Sequence, residues 1–316
     1  MTQPRIDILL ATYNGERYVG ALLDSLLAQT YKNIRILVRD DGSTDGTLRV
    51  IESYEKQHPE KIEFLRHTEN LGCNGNFSKL LEHAPSDYMM FSDQDDIWLP
   101  GKVEAAFEKL QALERSHSKE TPLLVHGDLK VVDGDLKEIS PSFWEYSKLY
   151  PKTTSTLNRL LVQNVVTGCT VLINRPLAQL ALPIPSDCLQ HDWWLALVAA
   201  GLGEIGIVEE PHILYRQHGG NSVGARPCSA SHYVKKKFTT PRSADIEYKR
   251  RNLQQALLYR ERYHEHLSLK NQSLVAAYCA AYQGSYVKRI YLMFKHGFFK
   301  NGFMRNLVGI IPRRLF

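Results

Sequence analysis

The fold is decided by residues 6–41, which read IDILLATYNGERYVGALLDSLLAQTYKNIRILVRDD. Residues 6–11 form an apolar run with one polar interruption and lead into the loop sequence TYNG, as expected of a buried strand. Apolar residues then recur at three- and four-residue spacing, which predicts an amphipathic helix over 18–28. The run IRILV at 34–38 predicts a second buried strand. The segment is therefore predicted to be a βαβ unit.

The same alternation of strand and helix continues along the chain. Helices are predicted over 47–54, 76–83 and around 193–200, and strands over 62–65, 88–91, 123–125, 170–173 and 205–208. Strands that alternate with helices favour a mainly parallel sheet covered on both faces. We therefore predict an α/β fold with a Rossmann-like central sheet, followed by a helical segment. The predicted organisation is a catalytic domain over 1–225 and a basic helical segment over 226–316.

The composition is that of an ordinary folded protein, with 316 residues, 43% hydrophobic and 23% charged. No window reaches the roughly 18 to 20 apolar residues that a transmembrane helix needs, and no secretory leader is recognisable. We therefore expect a cytoplasmic protein. The cysteines are odd in number, widely spaced and without a CxxC pair, which favours reduced, mostly buried thiols over disulfides or a zinc site. They are Cys73, Cys169, Cys188, Cys228 and Cys279.

Positive charge is concentrated near the end of the chain. Residues 230–316 contain 17 Lys and Arg against 4 Asp and Glu, although the whole chain carries a net charge of only +5. From residue 286 onward basic residues alternate with Tyr, Phe, Leu and Ile, a pattern typical of a helix that lies in a membrane interface. A solvated helical face is an equally good interpretation. No nucleic-acid-binding motif accompanies the charge, so nucleic acid is not an expected partner.

Polar clusters follow three of the predicted strands. The loops ATYNGE (11–16) and RDDGSTDGT (39–47) combine carboxylates with small residues, and ligands of such sheets bind at the carboxyl ends of the strands. Asp45 is best explained as a helix cap. Asp40 and Asp41 follow a buried strand directly, and such carboxylates are costly unless a ligand, a metal or hydrogen-bond donors satisfy them.

The third cluster, SDQDD at 92–96, places three carboxylates in four positions. Mg²⁺ and Mn²⁺ prefer oxygen ligands and are commonly held by one or two carboxylates together with substrate phosphates. We therefore predict a diphosphate-metal site here. An acidic turn that caps the helix beginning near Pro100 would explain one of the carboxylates but not all three.

These motifs resemble the inverting glycosyltransferase family 2, whose fold is GT-A. ATYNG, DDGSTDGT and SDQDDIW occur in the family's order, and the resemblance covers roughly residues 5–224. The strings FSDQDDIWLP, QNVVTGCT, HDWW and YRQHGGNSVG are similar in particular to bacterial rhamnosyltransferases that build O-antigen and other surface polysaccharides. The resemblance implies transfer of a sugar from a nucleotide carrier to an acceptor hydroxyl, with the help of Mg²⁺ or Mn²⁺.

The resemblance also implies roles for particular residues. The nucleoside would be held by Thr12, Tyr13, Glu16, Asp40 and Asp41. The DxD motif falls on Asp93, Gln94 and Asp95, which makes Asp95 the expected direct metal ligand and Asp93 its companion at the metal and the donor. His218 would complete the metal shell, or alternatively only hydrogen-bond within its loop, and Arg216 would face the diphosphate. The family's general base stands in an acidic pair; this chain has His191 followed by Asp192, so the base is assigned to Asp192.

The acceptor half is expected to begin after residue 122. Trp193 and Trp194 beside the expected base could form an aromatic wall for a sugar ring, although adjacent helical residues point to different faces and one of them should be core. Thr167 and Gly168 lie in a segment that resembles the acceptor-binding part of the family, and a plain strand entry explains them nearly as well. Trp193, Trp194, Thr167 and Gly168 are therefore the candidate acceptor residues.

The donor that the resemblance favours is dTDP-rhamnose, with UDP-galactose or UDP-N-acetylglucosamine as the alternative. The expected acceptor is an oligosaccharide or a lipid-linked glycan, and the basic tail is expected to make peripheral contact with the inner face of the cell membrane or with a partner. A nucleotide-sugar-binding scaffold without turnover is the alternative from a different functional class. Retention of Asp93, Asp95 and Asp192 together argues against it.

Overall fold

A computed structural model describes residues 3–67, 69–219, 224–225 and 241–310. Its strands are β1 (Ile6–Thr12), β2 (Ile34–Asp40), β3 (Ile62–Phe64), β4 (Tyr88–Ser92), β5 (Ile97–Trp98), β6 (Leu123–Gly127), β7 (Lys130–Val132), β8 (Glu138–Ser140), β9 (Leu172–Asn174), β10 (Glu204–Val208) and β11 (Ile213–Arg216).

The described α-helices lie between and after these strands. They are α1 (Val19–Leu27), α2 (Thr47–Gln57), α3 (Gly72–His83), α4 (Lys102–Glu114), α5 (Phe143–Ser147), α6 (Pro151–Thr154), α7 (Leu157–Leu160), α8 (Arg175–Ala181), α9 (His191–Leu202), α10 (Arg242–Tyr263), α11 (Leu269–Gln283), α12 (Tyr286–His296) and α13 (Phe303–Ile310). The predicted βαβ start and the later strand and helix positions are confirmed to within a few residues.

The main sheet has seven strands in the order β10-β6-β9-β4-β1-β2-β3. β1 lies near its centre and pairs in parallel with β2 and β4, with Thr12 opposite Asp40 and Leu10 opposite Ser92. The carboxyl ends of three neighbouring strands therefore meet at one edge. β9 runs antiparallel to both β4 and β6, so the predicted mainly parallel character of the sheet is confirmed with one reversed strand.

A second, four-stranded sheet has the order β5-β11-β7-β8. β11 pairs antiparallel with β5 and parallel with β7. β5 follows directly after the acidic loop 93–96, so this pairing carries Arg216, the last residue of β11, to that loop. The sequence pattern did not predict this sheet, because its strands are only two to four residues long.

Apolar side chains form a hydrophobic cluster on each side of the main sheet. On one side α1 buries the residues that its spacing predicted, Val19, Leu22, Leu23 and Leu26. On the other side α9 is buried all round, from His191 to Ala199. Complete burial of a Leu or Val side chain contributes roughly 1.5–3 kcal/mol, so these clusters fix the helices against the sheet.

The described helices after residue 240 share the core of the preceding chain. Trp194 of α9 packs against Tyr259 and Tyr263 of α10 with ring centroids 6.1 and 5.8 Å apart. The Tyr263 hydroxyl also donates a hydrogen bond of 2.7 Å to the carbonyl oxygen of Leu180. The division of the chain into two domains near residue 225 stays a prediction. Helices described after residue 240 pack directly against the part of the chain before it.

Two further sequence expectations concern thiols and membrane spans. Cys169, Cys188 and Cys279 are buried free thiols and Cys73 is an exposed one, while Cys228 lies outside the described residues. None of the described helices is both long enough and apolar enough to cross a bilayer.

Replacing Tyr263 by Ala tests whether α10 is an integral part of the core. The substitution removes a buried ring and a hydrogen bond to Leu180, so we expect the free energy of unfolding to fall by about 3 kcal/mol or more. Tyr291→Ala, at a ring that is 60% exposed, is the matched control and should change it by less than about 0.5 kcal/mol. Denaturant melts of both variants measure this, and equal effects would contradict the shared core.

Candidate active site

The loops after β1 and β2 are held together by side-chain hydrogen bonds to backbone. Asn14 Oδ1 accepts from the backbone N–H of Thr44 at 2.8 Å, and Ser43 Oγ accepts from the N–H of Asn14 at 2.7 Å. Glu16 accepts from the N–H of Gly46 at 2.9 Å, close to the start of α2. These bonds make a fixed platform at the carboxyl edge of the sheet, and they show that Glu16 fastens the two loops to each other.

Gln94 connects this platform to the acidic loop. Its amide accepts from the N–H of Tyr13 at 2.8 Å and donates to the carbonyl oxygen of Tyr13 at 2.9 Å. A Cβ at Gly15 would collide with this amide, so a side chain at that position would displace Gln94. The Tyr13 side chain is 51% exposed.

Asp40 and Asp41 are buried, but the protein's own donors satisfy both carboxylates. Asp40 accepts from the hydroxyl of Thr12 at 2.7 Å and from the N–H of Ser43 at 2.7 Å. Asp41 pairs with Arg39 at 3.1 Å and accepts from two backbone N–H groups at the start of α3. Thr12, Asp40 and Asp41 therefore position the loops on either side, and their contact with a nucleoside stays a prediction.

Two carboxylates of the acidic loop, residues 93–96, converge on each other. Asp93 and Asp96 bring ligand atoms within 4.8 Å of each other and of the Cys169 thiol. Burial, with the nearby carboxylates of Asp95 and Asp192, raises the pKa of Asp93 to about 7. Burial, with Asp95 and Asp93 next, also raises the pKa of Asp96 well above its usual value. The cluster is therefore a place where negative charge is costly without a cation.

Lys102 is a buried residue of this cluster that sequence reasoning missed. Its ammonium donates a hydrogen bond of 2.7 Å to the carbonyl oxygen of Cys169 and lies over the ring of Trp98. Burial lowers its pKa well below the usual value, while Cys169, Asp96 and Asp93 act in the opposite direction. A lysine in the first turn of a helix gives no signal of burial in the sequence, because such side chains are normally solvated.

Asp95 points to the other side of the loop. Its carboxylate lies 2.8 Å from His218 Nε2, and the two side chains are 15% and 17% exposed respectively. The His218 ring stacks on Tyr18 with centroids 4.6 Å apart. The structure thus brings together Asp95 and His218, the two residues assigned to one metal shell, at the rim of the acidic cluster.

Arg216 occupies a different place from the expected one. It is 7% exposed, and its guanidinium donates to the carbonyl oxygens of Asp95 and Gly134, both at 2.9 Å. Its backbone N–H donates to Asp96 at 3.2 Å. Arg216 therefore holds the acidic loop in place from the second sheet, and its contact with a diphosphate stays a prediction.

Asp192 lies in the first turn of α9 and is 6% exposed. Asn164 donates to its Oδ1 atom at 3.1 Å, and backbone N–H groups, including that of Gly168, also donate to the carboxylate. Burial outweighs these hydrogen bonds and raises the pKa of Asp192 to about 7. It is close enough to the cluster for its charge to raise the pKa of Asp93. A carboxylate with these properties can accept a proton near neutral pH.

His191, the residue before Asp192, is a core residue. Its ring lies 4.0 Å from that of Phe77 and 5.5 Å from that of Phe91. Burial lowers its pKa to about 3, so the imidazole is neutral at physiological pH. An acidic residue in its place would be buried against two aromatic rings, and this accounts for the chain's departure from an acidic pair.

The expected aromatic wall is wrong for both tryptophans. Trp193 and Trp194 are 3% and 0% exposed, and their indole N–H groups donate to the carbonyl oxygens of Leu160 and Ala181. Both are core because α9 is covered on every side. Gly168, in contrast, lies beside Asp192, and a side chain at this position would collide with His191. Thr167 comes directly before it, at the start of the same helical turn. Thr167 and Gly168 stay candidates for the acceptor side.

The residues present fit a divalent cation. Oxygen donors from two carboxylates, Asp93 and Asp96, converge, and the Oδ2 atom of Asp96 is buried without a hydrogen-bond partner among the described residues. Hard cations such as Mg²⁺ and Mn²⁺ prefer such oxygen ligands.

Comparison with known proteins identifies the family to which this sequence belongs. The family model of glycosyl transferase family 2 matches residues 7–176. This chain belongs to glycosyl transferase family 2. An uncharacterised glycosyltransferase of Nostoc is 29% identical over 227 residues, which cover 69% of this chain and 66% of the relative. The dTDP-rhamnosyl transferase RfbG of Shigella flexneri is 29% identical over 224 residues, covering 68% of this chain and 74% of that protein.

Solved structures show the fold of this glycosyl transferase family 2 member to be GT-A, as expected. S. aureus TarS 1-349 in complex with UDP-GlcNAc has a TM-score of 0.55 at 16% identity and covers 92% of this chain and 73% of that one. The mannosyltransferase PcManGT of Pyrobaculum calidifontis, in complex with GDP-Man and Mn²⁺, has a TM-score of 0.54 at 17% identity and covers 94% and 80% respectively. At these identities the likeness establishes the fold.

A double-mutant cycle at Gly15 and Gln94 tests the link between platform and acidic loop. Gly15→Ala should displace the Gln94 amide and remove its two hydrogen bonds to Tyr13, at a cost of about 1–2 kcal/mol in the free energy of unfolding. In a Gln94→Ala background the same change should cost much less, giving a coupling of about 1 kcal/mol by denaturant melts. Additive effects of the two substitutions would contradict the contact.

Asp192→Asn should stabilise the protein, and more so at high pH. The folded-state pKa of about 7 lies above the usual value of 3.8, so the carboxylate contributes a penalty that is absent below pH 4 and grows until about pH 7. At pH 8 the uncharged variant should gain about 1 kcal/mol or more, or about 2–4 °C in Tm, with a smaller gain at pH 5. Thermal melts at both pH values measure this, and a pH-independent change would contradict a buried, proton-accepting Asp192.

Proposed function

We propose that this chain is an inverting glycosyltransferase that moves L-rhamnose from dTDP-rhamnose onto a hydroxyl of a glycan acceptor in bacterial surface polysaccharide assembly. Family membership supports sugar transfer, and the relative named dTDP-rhamnosyl transferase supports this donor. The observation that carries the proposal is the placement of Asp192 beside, but outside, the cluster of Asp93, Asp95 and Asp96. A proton acceptor next to a cation site is what direct displacement of a diphosphate requires.

Asp192 is proposed to be the general base. Attack from the face opposite the leaving group requires removal of the acceptor hydroxyl proton, and a carboxylate with a pKa of about 7 is half ionised at neutral pH and basic enough to take it. Asn164 and backbone N–H groups, including that of Gly168, fix the orientation of the carboxylate. A side chain at position 168 would collide with His191 beside Asp192, so the glycine keeps this arrangement.

The donor is proposed to lie across the platform formed by the loops after β1 and β2. The exposed ring of Tyr13 can cover a planar base, and Glu16, Asp40 and Asp41 keep the two loops in position. Asp93 and Asp96, whose carboxylates converge, would hold Mg²⁺ or Mn²⁺ together with Asp95, which has His218 beside it at the edge of the loop. The bound cation would neutralise the charge that develops on the leaving diphosphate.

Two alternatives differ in donor or in activity. A UDP-sugar such as UDP-galactose or UDP-N-acetylglucosamine would use the same residues, and TarS, a structural relative, binds UDP-GlcNAc. A scaffold that binds nucleotide sugars without turnover would also keep the platform. The raised pKa of Asp192 favours the enzyme, because a scaffold has no use for a carboxylate that is expensive to bury.

The direct test is turnover of dTDP-rhamnose, UDP-galactose and UDP-N-acetylglucosamine with Mn²⁺ and an oligosaccharide acceptor, for wild type and for Asp192→Asn. We expect dTDP-rhamnose to be preferred and kcat to fall by about 10²–10⁴-fold in the variant, with the wild-type rate declining below about pH 7. The matched control Asp187→Asn, an exposed carboxylate shortly before α9, should leave kcat unchanged. Full activity of Asp192→Asn would overturn the mechanism, and binding of dTDP without turnover would favour the scaffold.

A further inference from the structure

Helix α12 exposes a stripe of apolar side chains. Val287, Tyr291 and Phe294 are 76%, 60% and 63% exposed, and their spacing of four and three residues places them on one face of the helix. The opposite face packs toward the core through Met293. Large apolar side chains that are exposed in a row, rather than singly, mark an interaction surface.

Helix α13 carries a second exposed stripe and is linked to α12 by a hydrogen bond. Phe303 and Leu307 are 77% and 41% exposed and are four residues apart. The Tyr286 hydroxyl at the start of α12 donates to the carbonyl oxygen of Ile310 at the end of α13, at 2.8 Å. We refer to the two helices and the turn between them as the α12–α13 hairpin. We name its exposed apolar residues the docking face: Val287, Tyr291, Phe294, Phe303 and Leu307.

The charge around the docking face has one sign. Residues 286–310 contain five Lys and Arg and no Asp or Glu. Lys295 lies over the Tyr291 ring at 5.6 Å and Arg289 over the Tyr286 ring at 5.3 Å, so cations and aromatic rings alternate on the same helix. Apolar and aromatic groups flanked by cations complement an anionic bilayer surface, where rings enter the headgroup region and cations meet phosphates.

The hairpin is joined to the acceptor side of the cleft. Asn158 donates to the carbonyl oxygens of His296 and Gly297 at the end of α12, at 3.0 and 3.3 Å. The N–H of Asn301, between α12 and α13, donates to Gln163 at 2.8 Å. The next residue, Asn164, donates to Asp192. The segment from 157 to 164 therefore connects the docking face to the residue that would deprotonate the acceptor.

We infer that the α12–α13 hairpin docks on an anionic lipid bilayer and thereby holds the Asp192 side of the cleft at the membrane surface. The inference rests on the proposed function in so far as it makes the acceptor a glycan carried on a lipid. The five apolar residues of the docking face and the cations beside them would contact the bilayer. An anionic bilayer fits better than a protein because exposed apolar stripes with flanking cations, and no acidic residue over 286–310, suit an extended anionic surface.

Vesicle co-sedimentation of the full chain tests the inference. Phosphatidylcholine vesicles with phosphatidylglycerol should bind the protein, vesicles of phosphatidylcholine alone should bind it at least about tenfold more weakly, and added salt should weaken binding. Phe294→Ser with Phe303→Ser should reduce binding by about tenfold or more. Lys288→Gln with Lys295→Gln should reduce it by a similar factor, since each cation contributes about fivefold. Ile139→Ser, at a residue 46% exposed on β8, is the control and should bind like wild type.

Each outcome bears on the inference. Unchanged binding of both double variants, or no binding of wild type to either vesicle, overturns it. Sedimentation velocity tests the alternative that the docking face joins two copies of the chain. If wild type self-associates without binding vesicles, and Phe294→Ser with Phe303→Ser abolishes the self-association, the inference is also overturned. Turnover with a soluble oligosaccharide acceptor separates this from the proposed function: the variants should keep it, and vesicle binding without any turnover would refute the enzyme but leave the docking face standing.

Discussion

Carboxylates held close together and away from water are the constraint on which this structure depends. Burial raises the pKa of Asp93, Asp96 and Asp192, and repulsion from neighbouring carboxylates raises the pKa of Asp93 and Asp96 further. Such a cluster is unstable as a group of anions. It persists because parallel strands deliver the loops to one edge, while Arg216 and Gln94 fix the acidic loop from either side.

Two other buried carboxylates nearby differ from this cluster in their hydrogen bonding. Asp40 and Asp41 are as deeply buried as Asp192, but backbone N–H groups, hydroxyls and Arg39 satisfy them. The Asp96 Oδ2 atom has no such partner among the described residues. This difference separates carboxylates that shape the platform from those suited to a cation, and an adjacent acidic pair in the sequence cannot distinguish the two.

The sequence predicted the parts of the fold that follow from local periodicity. Apolar runs alternating with helical spacing predicted β1 to β4 and α1 to α3. The tendency of ligands to bind at the carboxyl ends of parallel strands predicted where the candidate site lies. Residues whose surroundings come from distant segments were harder. Trp193 and Trp194 were assigned to the acceptor, but α10, more than 40 residues later, helps to bury α9 on every side. Burial of Lys102 and the reversed direction of β9 likewise depend on tertiary packing, which no short motif records.

The acidic loop is proposed to bind a divalent cation together with a nucleoside diphosphate. Calorimetric titration of Mn²⁺ at pH 8, with and without dTDP, measures this binding. We expect one Mn²⁺ per chain, tighter binding in the presence of dTDP, and at least about tenfold weaker binding, or about 1.4 kcal/mol, in Asp95→Asn, because a carboxylate ligand is lost. Mn²⁺ binding that is the same in wild type and Asp95→Asn, or that dTDP leaves unchanged, would contradict it.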